Sequence, residues 1–207
     1  MPLKPIARSH CRLQTLLTAC LWLLASATVC AQDEIPQSVQ IEVLVFEYIN
    51  GGAGSEATPR AQDPEYRDRY VLSEPAGPGW YRVIPASKQR LAGASGVLGR
   101  SSRTRLLMHT GWQQPSRDSR RIVLRADNGG PGDRGNPGMP SVEGWLELQA
   151  GRGLRVHLEF DHVREVDGEL TEFRMSQIRV VNPGEIQYFD HPAFGVLVRV
   201  DSIDSGQ

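Results

Sequence analysis

The chain predicts an α+β fold, a single mainly antiparallel β-sheet with one helix packed on one face. Three observations lead there. A strand-like run near residue 41 is followed by one helical segment and a second strand-like run. The last third alternates apolar and polar residues between tight-turn sequences. Beyond residue 31 there is no cysteine to staple the chain, so the fold must rest on a packed core.

The first of the 207 residues form a segment of another kind. Lys4, Arg8 and Arg12 precede an apolar stretch from Leu16 to Val29, and Val29-Cys30-Ala31 puts small residues at a cleavage site. Residues 1–31 are therefore expected to be a signal peptide cleaved near Ala31, and the protein to be periplasmic. Leu17-Thr18-Ala19-Cys20 also fits a lipoprotein cleavage box, but the most apolar run follows Cys20 instead of preceding it. The stretch falls short of the ~20 uninterrupted apolar residues that span a membrane. Residues 32–207 remain as one α+β domain, long enough to bury its own core. Cys11, Cys20 and Cys30 all leave with the leader, which excludes thiol nucleophiles, disulfides and cysteine-bound metals from that domain.

Ile41-Glu42-Val43-Leu44-Val45-Phe46-Glu47-Tyr48 reads as a strand. Ile41/Val43/Val45 and Leu44/Phe46/Tyr48 are both apolar, so it belongs inside the sheet. Asn50-Gly51-Gly52 stops it, and the polar, Pro- and Gly-punctuated residues to about 79 predict a long irregular loop. Pro85 then introduces a helix over Ser87–Arg100, with Leu91, Ala94 and Leu98 on one face. Gly93, Gly96 and Gly99 each weaken it by up to about 1 kcal/mol relative to Ala, so packing must hold it. Arg105–Trp112 is a second buried strand, and the strand–helix–strand order predicts a right-handed crossover with parallel strands.

Residues 126–140 hold five Gly and three Pro and predict a mobile loop. Val142–Gln149 and Leu154–Val163 flank Ala150-Gly151-Arg152-Gly153 as a hairpin. In its second strand Leu154, Val156, Leu158 and Phe160 alternate with Arg155, His157, Glu159 and Asp161, one face packed and one wet. Asp167-Gly168 predicts a type I′ turn into a strand over Leu170–Val181. Asn182-Pro183-Gly184 suits a type II turn, after which Glu185–Phe189 pairs back and Phe194, Val196, Val198 and Val200 close the sheet.

Charge is distributed unevenly. Residues 32–81 balance to −6, residues 82–125 to +9 with Asp118 the sole acid, and residues 126–207 to −7. Arg100, Arg103, Arg105, Arg117, Arg120 and Arg121 centre the basic segment, which suits carboxylates or phosphates; neutralisation by the flanking acidic segments is the plainer alternative. Nucleic acid is not an expected partner of an exported chain whose overall balance is acidic.

No catalytic residue, metal ligand set or cofactor motif emerges. His109, His157, His162 and His191 show neither His-x-His nor His-Glu-x-x-His spacing, and Gly-x-Ser-x-Gly and Ser-x-x-Lys are absent. Catalysis is therefore possible but unsupported by any motif, and no cofactor or metal is expected. Two clusters mix polar and aromatic groups. In His109-Thr110-Gly111-Trp112-Gln113-Gln114-Pro115, Trp112 stands at a strand end beside two amides; it reads either as a core plug or, with Trp145, as a platform that stacks on sugar rings while Gln113, Gln114, Arg103 and Arg105 hydrogen-bond a glycan or stem peptide. In Tyr188-Phe189-Asp190-His191-Pro192-Ala193-Phe194-Gly195, Tyr188, Asp190, His191, Pro192 and Gly195 read as a turn lock.

At these clusters the chain resembles the CsiV family, cell-shape integrity proteins of Gammaproteobacteria described as peptidoglycan-binding. The matching stretches are 41–46, 106–115, 144–148, 154–158 and, most specifically, Gly184-Glu185-Ile186-Gln187-Tyr188-Phe189-Asp190-His191-Pro192-Ala193-Phe194-Gly195-Val196-Leu197-Val198. The resemblance implies a non-enzymatic periplasmic protein that binds peptidoglycan and supports a class A penicillin-binding protein with its outer-membrane lipoprotein activator. An envelope protein–protein module without glycan affinity is the alternative. The sequence sets no oligomeric state.

Overall fold

The computed structural model describes residues 35–49, 57–59, 70–71, 81–127 and 140–203. The expected leader lies outside them, as do most of the loops expected over 50–79 and 126–140. Ile35–Gln207 forms one compact unit. Its strands are β1 (Ser38–Tyr48), β2 (Ala57–Pro59), β3 (Tyr70–Val71) and β4 (Arg82–Val83), then, after helix α1 (Ala92–Arg100), β5 (Thr104–Pro115) and β6 (Ile122–Asp127). β7 (Pro140–Ala150), β8 (Leu154–Val166), β9 (Glu169–Val181), β10 (Ile186–Asp190) and β11 (Phe194–Ile203) complete it.

Two sheets form where one was expected. Sheet A runs β10-β11-β1-β5-β4 and sheet B runs β2-β9-β8-β7-β6-β3. The apolar faces of the alternating strands require this. A nine-residue helix is about 13.5 Å long and covers little more than one strand. Val39, Ile41, Val43, Val45, Val196, Val198 and Val200 of sheet A instead bury against Leu146, Leu148, Val156, Leu158 and Phe160 of sheet B. Helix α1 takes a smaller patch on the other face of sheet A, where Leu91, Ala94 and Leu98 meet Leu44, Phe46 and Leu106. The two apolar faces of β1 thus serve two different layers.

The expected parallel crossover is also revised, because β1 and β5 pair antiparallel with Tyr48 opposite Thr104. The course of α1 gives the reason. The backbone N–H groups of Arg90 and Leu91 donate to Glu42 halfway along β1 (2.7 and 2.9 Å). At the other end Thr104 Oγ1 donates to the Leu98 carbonyl (2.7 Å). The helix therefore runs in the same sense as β1 and delivers the chain to the Tyr48 end, so β5 must return. A parallel crossover needs the helix to run the opposite way.

The two turns read from sequence are present. Asp167 and Gly168 have φ of 53° and 86°, as a type I′ turn requires. Gly184 has φ 87°, and Glu185 N–H closes on the Asn182 carbonyl at 3.2 Å. Strand β6 was not expected; its apolar run Ile122-Val123-Leu124 is only three residues long, between Arg121 and Arg125.

One charged group sits between the sheets. Glu47 of β1 accepts from His162 Nε2 of β8 (2.8 Å) and meets Arg105 Nε of β5 (2.6 Å). His162 is fully buried, and its Nδ1 lies 2.7 Å from the Ser141 carbonyl of β7. Burial works against the Glu47 charge, but the His162 hydrogen bond and the neighbouring His162 and Arg105 side chains outweigh it and hold the carboxyl below its ordinary pKa. The cluster joins β1, β5, β7 and β8 across the sandwich.

Candidate functional site

The outer face of sheet A, where α1 does not cover it, carries a strip of amides, guanidinium groups and carboxylates. Strand pairing builds it. Asp201 of β11 stands opposite Gln40 of β1, Gln40 opposite Gln113 of β5, and Gln113 opposite Arg82 of β4. In the next row Arg199 faces Glu42, and Glu42 faces Gly111. Gly111 is required there: a Cβ would lie 2.9 Å from the Glu42 Cγ and 2.8 Å from Ile84 Cδ1.

Each carboxylate in the strip is already held. Glu42, fully buried, accepts from Gln40 Nε2 (2.9 Å) as well as from the two N–H groups that lead into α1. Asp201 receives Arg199 through Nε and Nη2 (2.8 and 2.9 Å) and Arg90 Nη1 at 3.2 Å. His109 Nε2 lies 3.8 Å from Glu42; burial lowers the His109 pKa, against the upward pull of that carboxylate. The donors are freer. The Arg90 side chain is 57% exposed, Arg82 is exposed and without an ion pair among the described residues, and Gln40 and Gln113 meet only weakly at 3.5 Å. With its acids satisfied from within, the strip offers guanidinium and amide groups outward, suited to carboxylates, acetamido groups and hydroxyls.

The residues singled out from sequence separate into three places. Gln113 lies in the strip and His109 beside it. Trp112 and Gln114 do not: the Trp112 ring is fully buried between the sheets, its Nε1 donating to Gln114 Oε1 (2.7 Å). Gln114 in turn donates to the Asp118 carbonyl (2.8 Å), so the pair plugs the core and pins the turn after β5. Trp145 is 2% exposed, with the Arg121 guanidinium 4.1 Å over its ring and His157 edge-on at 4.6 Å. Both rings are enclosed, and neither offers a face on which a saccharide could stack.

Arg103 and Arg105 lie at the far end of β5. From Arg105 to Gln113 is eight residues, about 26 Å along a strand, and the Arg105 guanidinium is engaged with buried Glu47. Of the basic segment, Arg90, Arg120 and Arg121 are ion-paired with Asp201, Asp118 and Glu147. Arg82, Lys88, Arg100, Arg103 and Arg117 make no ion pair among the described residues, so that segment is only partly neutralised.

The second cluster forms the β10–β11 hairpin. His191 is buried, its Nδ1 accepting the Ala193 N–H at 3.1 Å and its ring 5.0 Å from Phe194. Pro192 is exposed at the turn. Tyr188 donates to Asp190, and the Tyr48 hydroxyl lies against both. Burial and the Asp190 hydrogen bond push the Tyr188 hydroxyl well above its ordinary pKa. A Cβ on Gly195 would sit 2.6 Å from Phe46 and 2.8 Å from Tyr188, so Gly195 lets those two rings stack over the strand.

Arg82, Arg90, Gln40, Arg199 and Asp201 were missed because they come from four separate elements. Only the row register unites them, although Arg82 and Arg90 did fall in the basic segment. Among the described residues no group of histidines and acids is arranged to hold a metal, and no helix is long and apolar enough to cross a membrane.

No curated protein and no solved structure matches the chain. The family model described as "Peptidoglycan-binding protein, CsiV" matches residues 13–203, nearly the whole length. The chain therefore belongs to the CsiV family of peptidoglycan-binding proteins.

Proposed function

We propose that the protein is a non-enzymatic periplasmic scaffold that holds peptidoglycan on the outer strip of sheet A and so supports a cell-wall synthase. The observation that carries the ligand assignment is the row Gln40–Gln113–Arg82 with Arg90 above it, beside carboxylates already satisfied. Arg82 is exposed without an ion pair among the described residues, Arg90 is still 57% exposed beyond its Asp201 contact, and the amides have donor capacity left after Gln40 has met Glu42. Arg82 and Arg90 would fork stem-peptide carboxylates, and Gln40 and Gln113 would pair with acetamido and hydroxyl groups of the glycan. Arg103, with Arg100, would add long-range attraction to an anionic wall. The resemblance supplies the finer partner, a class A penicillin-binding protein with its lipoprotein activator.

Pelleting with purified sacculi tests this reading. The wild type should co-sediment at low salt and partly release as ionic strength rises. Joint replacement Arg82→Ser and Gln113→Ala should lower the bound fraction several-fold while thermal unfolding stays unchanged. Recovery of the wild type in the supernatant at every salt concentration would remove the ligand. Co-purification with a synthase in that case would select the protein–protein module instead.

A further inference from the structure

At the hairpin end of sheet A the outward face of β10 carries Ile186, Tyr188 and Asp190 in line, about 6.6 Å from one to the next. Tyr188 donates to Asp190 Oδ1, the Tyr48 hydroxyl meets the same oxygen at 3.2 Å, and the two hydroxyls touch. Both hydroxyl hydrogens are thus spent inside the cluster. Neighbouring donors stop at backbone, Gln177 at the Asp190 carbonyl (2.9 Å) and Arg164 at the Tyr48 carbonyl (2.9 Å). Asp190 is exposed, and among the described residues no cation pairs with it and nothing donates to its Oδ2. A turn lock uses one carboxylate oxygen; the second is left over. The Tyr188 ring stacks on Phe46 through one face, at 6.3 Å and 15°, yet Tyr188 stays 38% exposed, so its other face is open.

We propose that this corner binds a primary ammonium on an alkyl arm, with Asp190 Oδ2 as its counter-ion and the open face of Tyr188 beside it. With its hydroxyl hydrogens committed, the cluster can only accept, which turns away carboxylates and carbonyls and suits a group with three N–H donors. A negative oxygen next to an aromatic face attracts a cation by charge and by the ring quadrupole. Ile186, 49% exposed, continues the surface away from Asp190 and gives the methylenes of the arm an apolar bed. Resting on peptidoglycan as the ligand, the inference assigns the side-chain amine of the diamino acid in a stem peptide. That amine is free only in stems that have not accepted a cross-link, because the cross-link acylates it, so the corner distinguishes open stems from closed ones. The carboxylate on the same carbon turns to water, where screening keeps its repulsion from Asp190 small. Asp190 pairs with Gly195, six residues and about 20 Å along β11 from Asp201 of the donor strip. The corner is therefore a second contact with the wall polymer, opposite in charge to the first.

Sacculi whose free amines have been acetylated with acetic anhydride, compared with untreated sacculi at one low salt concentration, test the inference. The full-length chain, expressed in a Gram-negative host and purified as that host leaves it, should bind the acetylated sacculi about fivefold more weakly. Acetylation leaves the wall more anionic, which by itself strengthens attraction to the arginines of the strip, so a fall reports contact with the amine. Asp190→Asn, which still offers an acceptor to both tyrosines, should bind untreated sacculi about fivefold more weakly and ignore acetylation. Arg82→Ser with Gln113→Ala should bind less overall and still lose the same factor on acetylation. Equal or tighter binding of acetylated sacculi by the wild type would overturn the inference alone, as would an Asp190→Asn variant that keeps the wild-type response. No binding of untreated sacculi would remove the peptidoglycan reading and the inference with it.

Discussion

Glu42 and Glu47 lie five residues apart on β1, on opposite faces of sheet A, and both are buried. Glu42 is satisfied mainly by backbone: two N–H groups leading into α1 and the Gln40 amide. Glu47 is satisfied by side chains, the His162 imidazole from the opposite sheet and the Arg105 guanidinium from the neighbouring strand. Backbone donors cannot leave, so Glu42 fixes where a glycine-rich helix begins and leaves nearby arginines free to face outward. Side-chain donors are long-range contacts, so Glu47 decides how two sheets sit on each other. The same residue type on one strand sets up the binding face in one case and the sandwich in the other.

Removing Glu47 should break the molecule more severely than removing Glu42. Glu47→Ala leaves His162 charged or unpaired with no solvent access and should cost about 3–5 kcal/mol, read by urea denaturation. Glu42→Ala strands two uncharged backbone N–H groups, one of them buried, and should cost about 2–3 kcal/mol. If Glu42→Ala proved the costlier, α1 and not the inter-sheet cluster would be the keystone. Gly195→Ala forces the Phe46 and Tyr188 rings apart and should cost about 1–3 kcal/mol, with the Tyr48–Tyr188–Asp190 contacts loosened.

The pH dependence separates the same two sites. The Glu47 pKa is lowered in the folded state, so its stabilisation is complete above about 4.5 and drains away as pH falls below that. The His109 pKa beside Glu42 is lowered as well. The unfolded chain then binds the proton more readily, and stability falls as pH drops from about 6.5 towards the folded value. A single group changes stability by at most about 1.4 kcal/mol per pH unit. His109→Gln should abolish the slope near 6.5 and leave the acid limb intact; an unchanged upper slope would assign it elsewhere.

Local chemistry was legible in the sequence, and long-range chemistry was not. Asp167-Gly168 and Asn182-Pro183-Gly184 carry their turn geometry in their own side chains and backbone preferences, so the hairpins around β9 followed directly. The alternation in β8 found the packed face, but of the residues expected to be wet only Arg155 is exposed, and Asp161 is buried and held by Arg174. It held no information on which layer would cover the packed face, and that is why one sheet was expected where two form. Strand β1 reads as apolar on both faces, yet a helix on one side and a sheet on the other produce the same pattern. The direction of β5 depended on the course of α1, set by a carboxylate 48 residues before Arg90. Trp112 illustrates the limit at the site: a tryptophan between amides at a strand end reads alike whether it faces a ligand or a second sheet. Gln113, its neighbour on the opposite face, is the residue that reaches the strip.

The central claim is that the strip Gln40–Gln113–Arg82–Arg90 holds peptidoglycan, and the side-chain amide resonances of its two glutamines report on it directly. On titration with soluble peptidoglycan fragments, the NH2 signals of Gln40 and Gln113 should shift together and saturate with one affinity, while that of Gln114, buried behind Trp112, stays in place. Saturable shifts confined to other regions, with both strip glutamines unmoved, would contradict the account.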